Sequence, residues 1–191
     1  AGLAAPPLLV LAAKDGGRYA VPALAIFAAS MILLYGASTT YHTFNISEKV
    51  NKVLRKIDHM MIFILIAGSY TPICVIPLRD TVGIPLLILV WAVAIAGMLI
   101  KAFWITCPKW FSSTIYIAMG WLCVLAMVPP AAFIWLVAGG VIYTIGGVIY
   151  ALKLPLFNAK HQYFGSHEIF HVFVMAGSLC HYVTMFYIAK M

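Results

Sequence analysis

Apolar residues along the chain gather into long, continuous segments separated by short polar linkers. A helix needs about 20 predominantly apolar residues to cross the hydrocarbon core of a bilayer. Six segments approach or reach that length: 20–44, 57–78, 82–104, 112–128, 131–152 and 168–189. Residues 1–13 are also apolar but too short to span, and we expect them to be the end of a first helix. The pattern predicts an all-α, polytopic transmembrane bundle of seven helices, the first of them partial, forming a single domain over residues 1–191.

The composition is typical of an integral membrane protein. Of its 191 residues, 64% are hydrophobic and 9% are charged, and the mean hydropathy is +1.04. A soluble domain carries about 25% charged residues, so this chain lacks the polar side chains needed for a water-facing surface. The net charge of +7 does not indicate a nucleic-acid partner, because the basic residues lie between the apolar segments. We expect membrane lipids to be its partners instead.

The basic residues also predict an orientation, because cytoplasmic linkers are enriched in Lys and Arg. One set of alternate linkers and their borders carries eight basic residues: Lys49, Lys52, Arg55, Lys56, Lys101, Lys109, Lys153 and Lys160. The opposite set carries three: Lys14, Arg18 and Arg79. We expect the protein in the cell membrane, with the richer set of linkers on the cytoplasmic side. This places the amino terminus inside and the carboxyl terminus outside.

Three histidines stand at the predicted cytoplasmic ends of the apolar segments. His167 and His171 are one helical turn apart, so their side chains project from the same face. His42 closes the first full-length segment, and Ser38 precedes it by the same one-turn interval. Polar side chains inside membrane helices are costly and by default mark a functional site. Three imidazoles would bind Zn²⁺ and leave one coordination position for water, the arrangement typical of catalytic zinc sites.

Two further side chains at this depth are candidate catalytic residues. Asp58, at the start of the next apolar segment, is placed to take a proton from a zinc-activated water. Ser38 is placed to hold that carboxylate or to donate to an oxygen that gains negative charge. Simpler roles stay open: His42 as an interfacial histidine, Asp58 as a helix-start acid or a partner of Lys56, and Ser38 bonded to its own helix.

Other polar residues allow competing interpretations. His167-Glu168-Ile169-Phe170-His171 matches the His-Glu-x-x-His pattern of zinc proteases, in which the glutamate is the general base. Glu168 is otherwise an acid in the first turn of a helix, where the dipole favours it. His181 lies about 15 Å beyond His171 along a helix, too far to share its ion. We expect a hydrogen-bonded core histidine, with a contact to a ligand cavity as the alternative. The four cysteines show no metal or redox spacing.

Taken jointly, these motifs resemble those of the bacterial hemolysin III family, which belongs with the progestin and adiponectin receptors and, more distantly, the alkaline ceramidases. The resemblance runs from about residue 20 to the carboxyl end and rests on 38–42 (STTYH), 57–59 (IDH), 67–72 (AGSYTP), 167–171 (HEIFH) and 176–178 (AGS). It implies seven helices and a zinc near the cytoplasmic leaflet. The implied ligands are His42, His167 and His171, accompanied by Ser38 and Asp58.

The resemblance implies two conflicting activities, cytolysis and hydrolysis of lipid amides. Our first hypothesis is a zinc-dependent intramembrane hydrolase acting on a lipid amide or ester. The alternative is a non-enzymatic receptor, stress protein or cytolysin in which zinc is structural. A protease that uses Glu168 is third, because it leaves His42 and Ser38 without a role.

Overall fold

The computed structural model describes residues 1–44, 46–104, 106–125, 128–152 and 165–191. Within these ranges the chain forms helices and turns and no strand, as expected. The α-helices are α1 (Ala5–Asp15), α2 (Ala20–Thr43), α3 (Glu48–Val75), α4 (Ile84–Phe103), α5 (Lys109–Trp121), α6 (Pro130–Leu152) and α7 (Ser166–Ile188). Lys153 and Lys160, which contributed to the predicted orientation, lie outside the described residues.

Five helical segments of the described chain are long and apolar enough to cross a membrane: Ala20–Thr43, Glu48–Val75, Arg79–Phe103, Pro130–Leu152 and His167–Ile188. The third of these includes the π-helical turn Arg79–Gly83 that precedes α4. The predicted polytopic helical bundle is therefore confirmed. The span predicted over 112–128 differs in the structure. There α5 ends at Trp121 and is followed by a short 3₁₀ turn, Leu122–Leu125.

The start of α3 corrects one prediction. Hydropathy placed the segment at residue 57, but α3 begins at Glu48, and the Ser47 hydroxyl caps it by accepting a hydrogen bond from the Val50 N–H (3.3 Å). Serine is among the best N-cap residues, because its oxygen satisfies a free N–H of the first turn. Asp58 therefore lies ten residues inside the helix and does not open it. Lys49 to Lys56 belong to the helix rather than to a linker.

The backbone contacts divide the chain into two compact units, Ala1–Thr106 with Met185–Met191, and Cys107–Thr184. The prediction of a single domain stays a prediction. In the first unit α2, α3 and α4 alternate in direction. Gly68 of α3 abuts Ser30 of α2, and Gly97 of α4 abuts the ring of Phe63 in α3, so that a Cβ at either glycine would clash. Glycine here permits close helix approach, as is common in membrane bundles.

In the second unit α6 runs antiparallel to both α5 and α7. The indole of Trp121 in α5 donates to the Thr144 hydroxyl of α6 (2.9 Å). Between α6 and α7, Gly139 lies against His181, and Gly146 lies against Phe173. These two contacts fix the register of α6 against α7: the residue numbers rise from 139 to 146 on α6 and fall from 181 to 173 on α7.

Candidate metal centre

His167 and His171 form the best-defined part of the candidate site. Their Nε2 atoms lie 3.2 Å apart, and their ring centroids lie 4.6 Å apart with an interplanar angle of 75°. The one-turn spacing along α7 brings the rings together, as the sequence predicted. Without a metal, one Nε2 donates a hydrogen bond to the other, which requires one ring to be protonated at Nε2 and the other to accept there.

The same distance fits a shared zinc ion. Two nitrogens bound at about 2.0–2.1 Å to a tetrahedral zinc lie about 3.3 Å from each other. The observed Nε2–Nε2 distance is within about 0.1 Å of that value. The separation of the two nitrogens is therefore compatible with two ligands of one ion, and neutral imidazole nitrogen is a donor that zinc accepts readily.

Tyr150 of α6 holds this pair from the side. Its ring lies 5.9 Å from that of His167 and 4.8 Å from that of Phe170, measured between centroids. Aromatic contacts at these separations restrict the orientation of the rings. Tyr150 could not be predicted from the sequence, because its contact with His167 depends on the register of α6 against α7, which no local pattern encodes.

Glu168 caps the start of its own helix. Its Oε2 accepts a hydrogen bond from the Gly165 N–H (2.8 Å), immediately before the first turn of α7. A glutamate at the third helical position that reaches back to the N-cap N–H is one half of a capping box. This contact confirms the helix-start interpretation of Glu168, and a carboxylate engaged in a helix cap is a less favourable general base for the protease interpretation.

The first unit positions Ser38, His42 and Asp58 at one level. The contact of Ser30 with Gly68 sets the register of α2 against α3. Ten residues toward the amino end of α3, Asp58 comes level with about residue 40 of α2, between Ser38 and His42. Antiparallel neighbours with equal rise keep such levels aligned. Within this unit, the register therefore places Asp58 close to the level of Ser38 and His42.

Asp58 is buried, with only 7% of its surface exposed. Its position rules out the helix-start explanation, because the dipole effect is confined to the first turn. Lys56 donates to the Ala102 carbonyl (2.6 Å) at the end of α4. The neighbouring His59 has its Nδ1 3.4 Å from the Asp58 Oδ2 and 2.9 Å from the Arg55 carbonyl oxygen. A buried carboxylate among apolar helices is costly unless it has a function or partners.

The Ser38 hydroxyl differs from those of its neighbours on α2. Ser30 and Thr40 donate to carbonyls of their own helix, those of Phe27 (2.7 Å) and Gly36 (2.8 Å). In the described part of the chain Ser38 makes no such bond, and its side chain is half-buried. His42 is exposed at the end of α2, with its ring against that of Tyr41 (4.8 Å).

His181 corrects another expectation. Its two ring nitrogens are buried, and neither has a hydrogen-bond partner among the described residues. The ring packs against Gly139 and the ring of Tyr143, whose centroid is 5.3 Å away. The expected hydrogen-bonded core histidine is therefore wrong in its bonding, although the residue does lie in the helix interface.

Of the three predicted metal ligands, His167 and His171 lie together in the second unit, and His42 lies in the first. Residues 3–182 match the protein family described as "Haemolysin-III related". The chain belongs to this haemolysin III family. The match covers well over half of the chain, and it confirms the resemblance seen in the sequence motifs.

Individual haemolysin III relatives agree with this assignment. The chain is 35% identical to the Hemolysin-3 homolog of Bacillus subtilis (strain 168) over 190 residues, covering 96% of this chain and 85% of that protein. It is 36% identical to Hemolysin-3 of Bacillus cereus over 196 residues, covering 97% and 85%. The Adiponectin receptor protein of Drosophila melanogaster is 23% identical over 186 residues, covering 79% of this chain and 39% of the receptor. No solved structure matches the chain. The chain is thus a haemolysin III membrane protein related to adiponectin receptors.

Proposed function

We propose that this protein is a zinc-dependent intramembrane hydrolase of a lipid amide or ester, with His42, His167 and His171 as the metal ligands. The observation that carries the proposal is the 3.2 Å separation of the His167 and His171 Nε2 atoms, which suits two ligands of one tetrahedral ion. A zinc ion held by imidazoles supplies Lewis-acid polarisation of a carbonyl and activation of a water.

The chain's own residues supply the remaining steps. The Asp58 carboxylate, level with His42 in the first unit, accepts a proton from the attacking water and later returns it to the leaving amine or alcohol. The Ser38 hydroxyl, which has no hydrogen-bond partner in the described chain, donates to the substrate oxygen as it gains negative charge. The predicted orientation places this chemistry near the cytoplasmic leaflet.

A lipid is the substrate class that the architecture favours. Five helices of membrane-spanning length leave little surface exposed to water, so a substrate arrives most directly from the bilayer, between helices. The relatives' names favour the competing function, since "Hemolysin-3" denotes cytolysis and "Adiponectin receptor protein" denotes signalling. In that case the zinc would hold helix ends together without reacting.

The test combines zinc content with turnover in the full purified chain, using fluorescent lipid amides and lipid esters as probes. His171→Ala should lose the zinc and the turnover. Asp58→Asn should keep the zinc and lose roughly 10²–10⁴-fold in rate, the usual contribution of a general base. Asp80→Asn is the matched control, because Asp80 is an exposed acid in the turn before α4. Full zinc occupancy without turnover of either lipid class would establish the structural role instead.

A further inference from the structure

The amino-terminal part of α3 extends well beyond what a membrane span requires. The helix has 28 residues, about 42 Å at 1.5 Å per residue, whereas the hydrocarbon core is about 30 Å thick. The surplus lies at the amino end, because residues 48–57 carry all the charges of α3 except Asp58. We call residues 48–57 the α3 extension.

The α3 extension presents a ridge of exposed positive charge. Lys49, Lys52 and Arg55 follow one another at three-residue intervals, which makes successive pairs neighbours on the helix surface. All three are exposed, and in the described ranges no salt bridge engages them. Glu48 is the one acid of the extension. Like charges at this spacing repel each other, so an anion that lies along the ridge relieves an unfavourable interaction.

Large apolar side chains surround the ridge at the same end of the first unit. This end comprises the end of α2, the start of α3 and the end of α4, since the three helices alternate in direction. Val53 and Ile57 are exposed within the extension, and Phe44, Phe103 and Trp104 are exposed beside it, Phe103 at 87%. Basic side chains together with exposed aromatic residues are typical of a helix end at the membrane–water interface.

These three observations point to one partner. We propose that the α3 extension is a binding surface for the headgroups of anionic phospholipids, with the phosphates contacting Lys49, Lys52 and Arg55 and the apolar side chains entering the acyl boundary. A soluble polyanion would match the charges but would leave the exposed aromatic residues in water. Basic segments next to a membrane span attract anionic lipids by about 1 kcal/mol per Lys or Arg.

The proposal is tested by lipid binding to the full chain in mixed micelles, with phosphatidylglycerol and phosphatidylcholine as probes. The variant K49Q/K52Q/R55Q should bind phosphatidylglycerol roughly tenfold to a hundredfold more weakly than the wild type, with phosphatidylcholine unchanged. The matched control K14Q/R18Q/K190Q removes the same charge from exposed residues at the other end of the first unit, where Gly16 lies against the Ala189 carbonyl. It should stay within about twofold of the wild type, and raising the salt to about 1 M should abolish the preference.

Three results would overturn the proposal. An equal loss in both triple variants would show a response to net charge alone. Equal binding of the two lipids by the wild type would show no headgroup recognition. Full competition by soluble glycerol phosphate would show a phosphate site rather than a lipid surface. None of these readouts depends on zinc or on hydrolysis, so the outcome is independent of the proposed function.

Discussion

The carboxylate of Glu168 accepts a hydrogen bond from the backbone N–H of Gly165, 2.8 Å away. The two histidines on either side of this glutamate in the His-Glu-x-x-His pattern face each other, while the glutamate itself closes the start of α7. One five-residue motif thus contains two different features, a pair of facing imidazoles and a helix cap.

Glu168→Gln should leave zinc content and turnover unchanged, because an amide oxygen can still accept the Gly165 hydrogen bond. Glu168→Ala should keep the zinc but lower the free energy of unfolding by about 1 kcal/mol, the usual cost of a lost cap. Metal analysis and thermal unfolding of the two variants measure both effects. A loss of turnover in Glu168→Gln with zinc retained would restore the protease interpretation.

Gly97→Ala should destabilise the first unit by about 1–3 kcal/mol, because the added Cβ would meet the ring of Phe63 and force α3 and α4 apart. Gly36→Ala is the control, since no atom lies within 4 Å of a Cβ built at Gly36 in α2. There the change should be neutral or stabilising by up to about 1 kcal/mol. Unfolding midpoints that fall equally in both variants would contradict the close α3–α4 contact.

The comparison of these helices with the sequence shows what local patterns can reveal. Apolar runs located both ends of four spans, and the carboxyl end of α3, to within a few residues. They succeed because burial in lipid demands continuous hydrophobicity. The start of α3 was missed because its first turns are polar, although Ser47 followed by Glu48 is a helix-start signal that could have been used. Hydropathy reports where a helix enters lipid, and capping residues report where it begins.

The candidate site shows the same limit. One-turn spacing predicted the His167–His171 contact, since both residues lie on one helix. The contact of Tyr150 with His167 and the burial of His181 against Gly139 depend on how α6 meets α7. Those relationships arise from long-range packing, and neither residue stands in a pattern that identifies its neighbour.

His181→Leu should keep or raise stability, by up to about 1 kcal/mol. Both ring nitrogens of His181 are buried without partners in the described chain, and a buried unsatisfied polar group costs about 1–3 kcal/mol. Part of that gain is offset by lost packing against Tyr143. Tyr143→Phe provides the contrast, since it removes a hydroxyl that bonds to Ser178 (2.8 Å) and should cost about 0.5–1.5 kcal/mol. Denaturant titrations that rank the two variants in the opposite order would indicate a bonding partner for His181.

Zinc should stabilise the wild-type protein in a pH-dependent way. An ion that binds only the folded state adds about 2.7 kcal/mol at a free concentration roughly one hundred times its Kd. Imidazole binds metal only when neutral, so acidification must weaken binding and reduce the zinc-dependent rise in Tm. His59→Gln should keep that rise, because His59 bonds to the Arg55 carbonyl on its own helix and is not among the proposed ligands. His171→Ala should abolish it. A rise that persists in His171→Ala, or that grows as the pH falls, would place the zinc on other ligands.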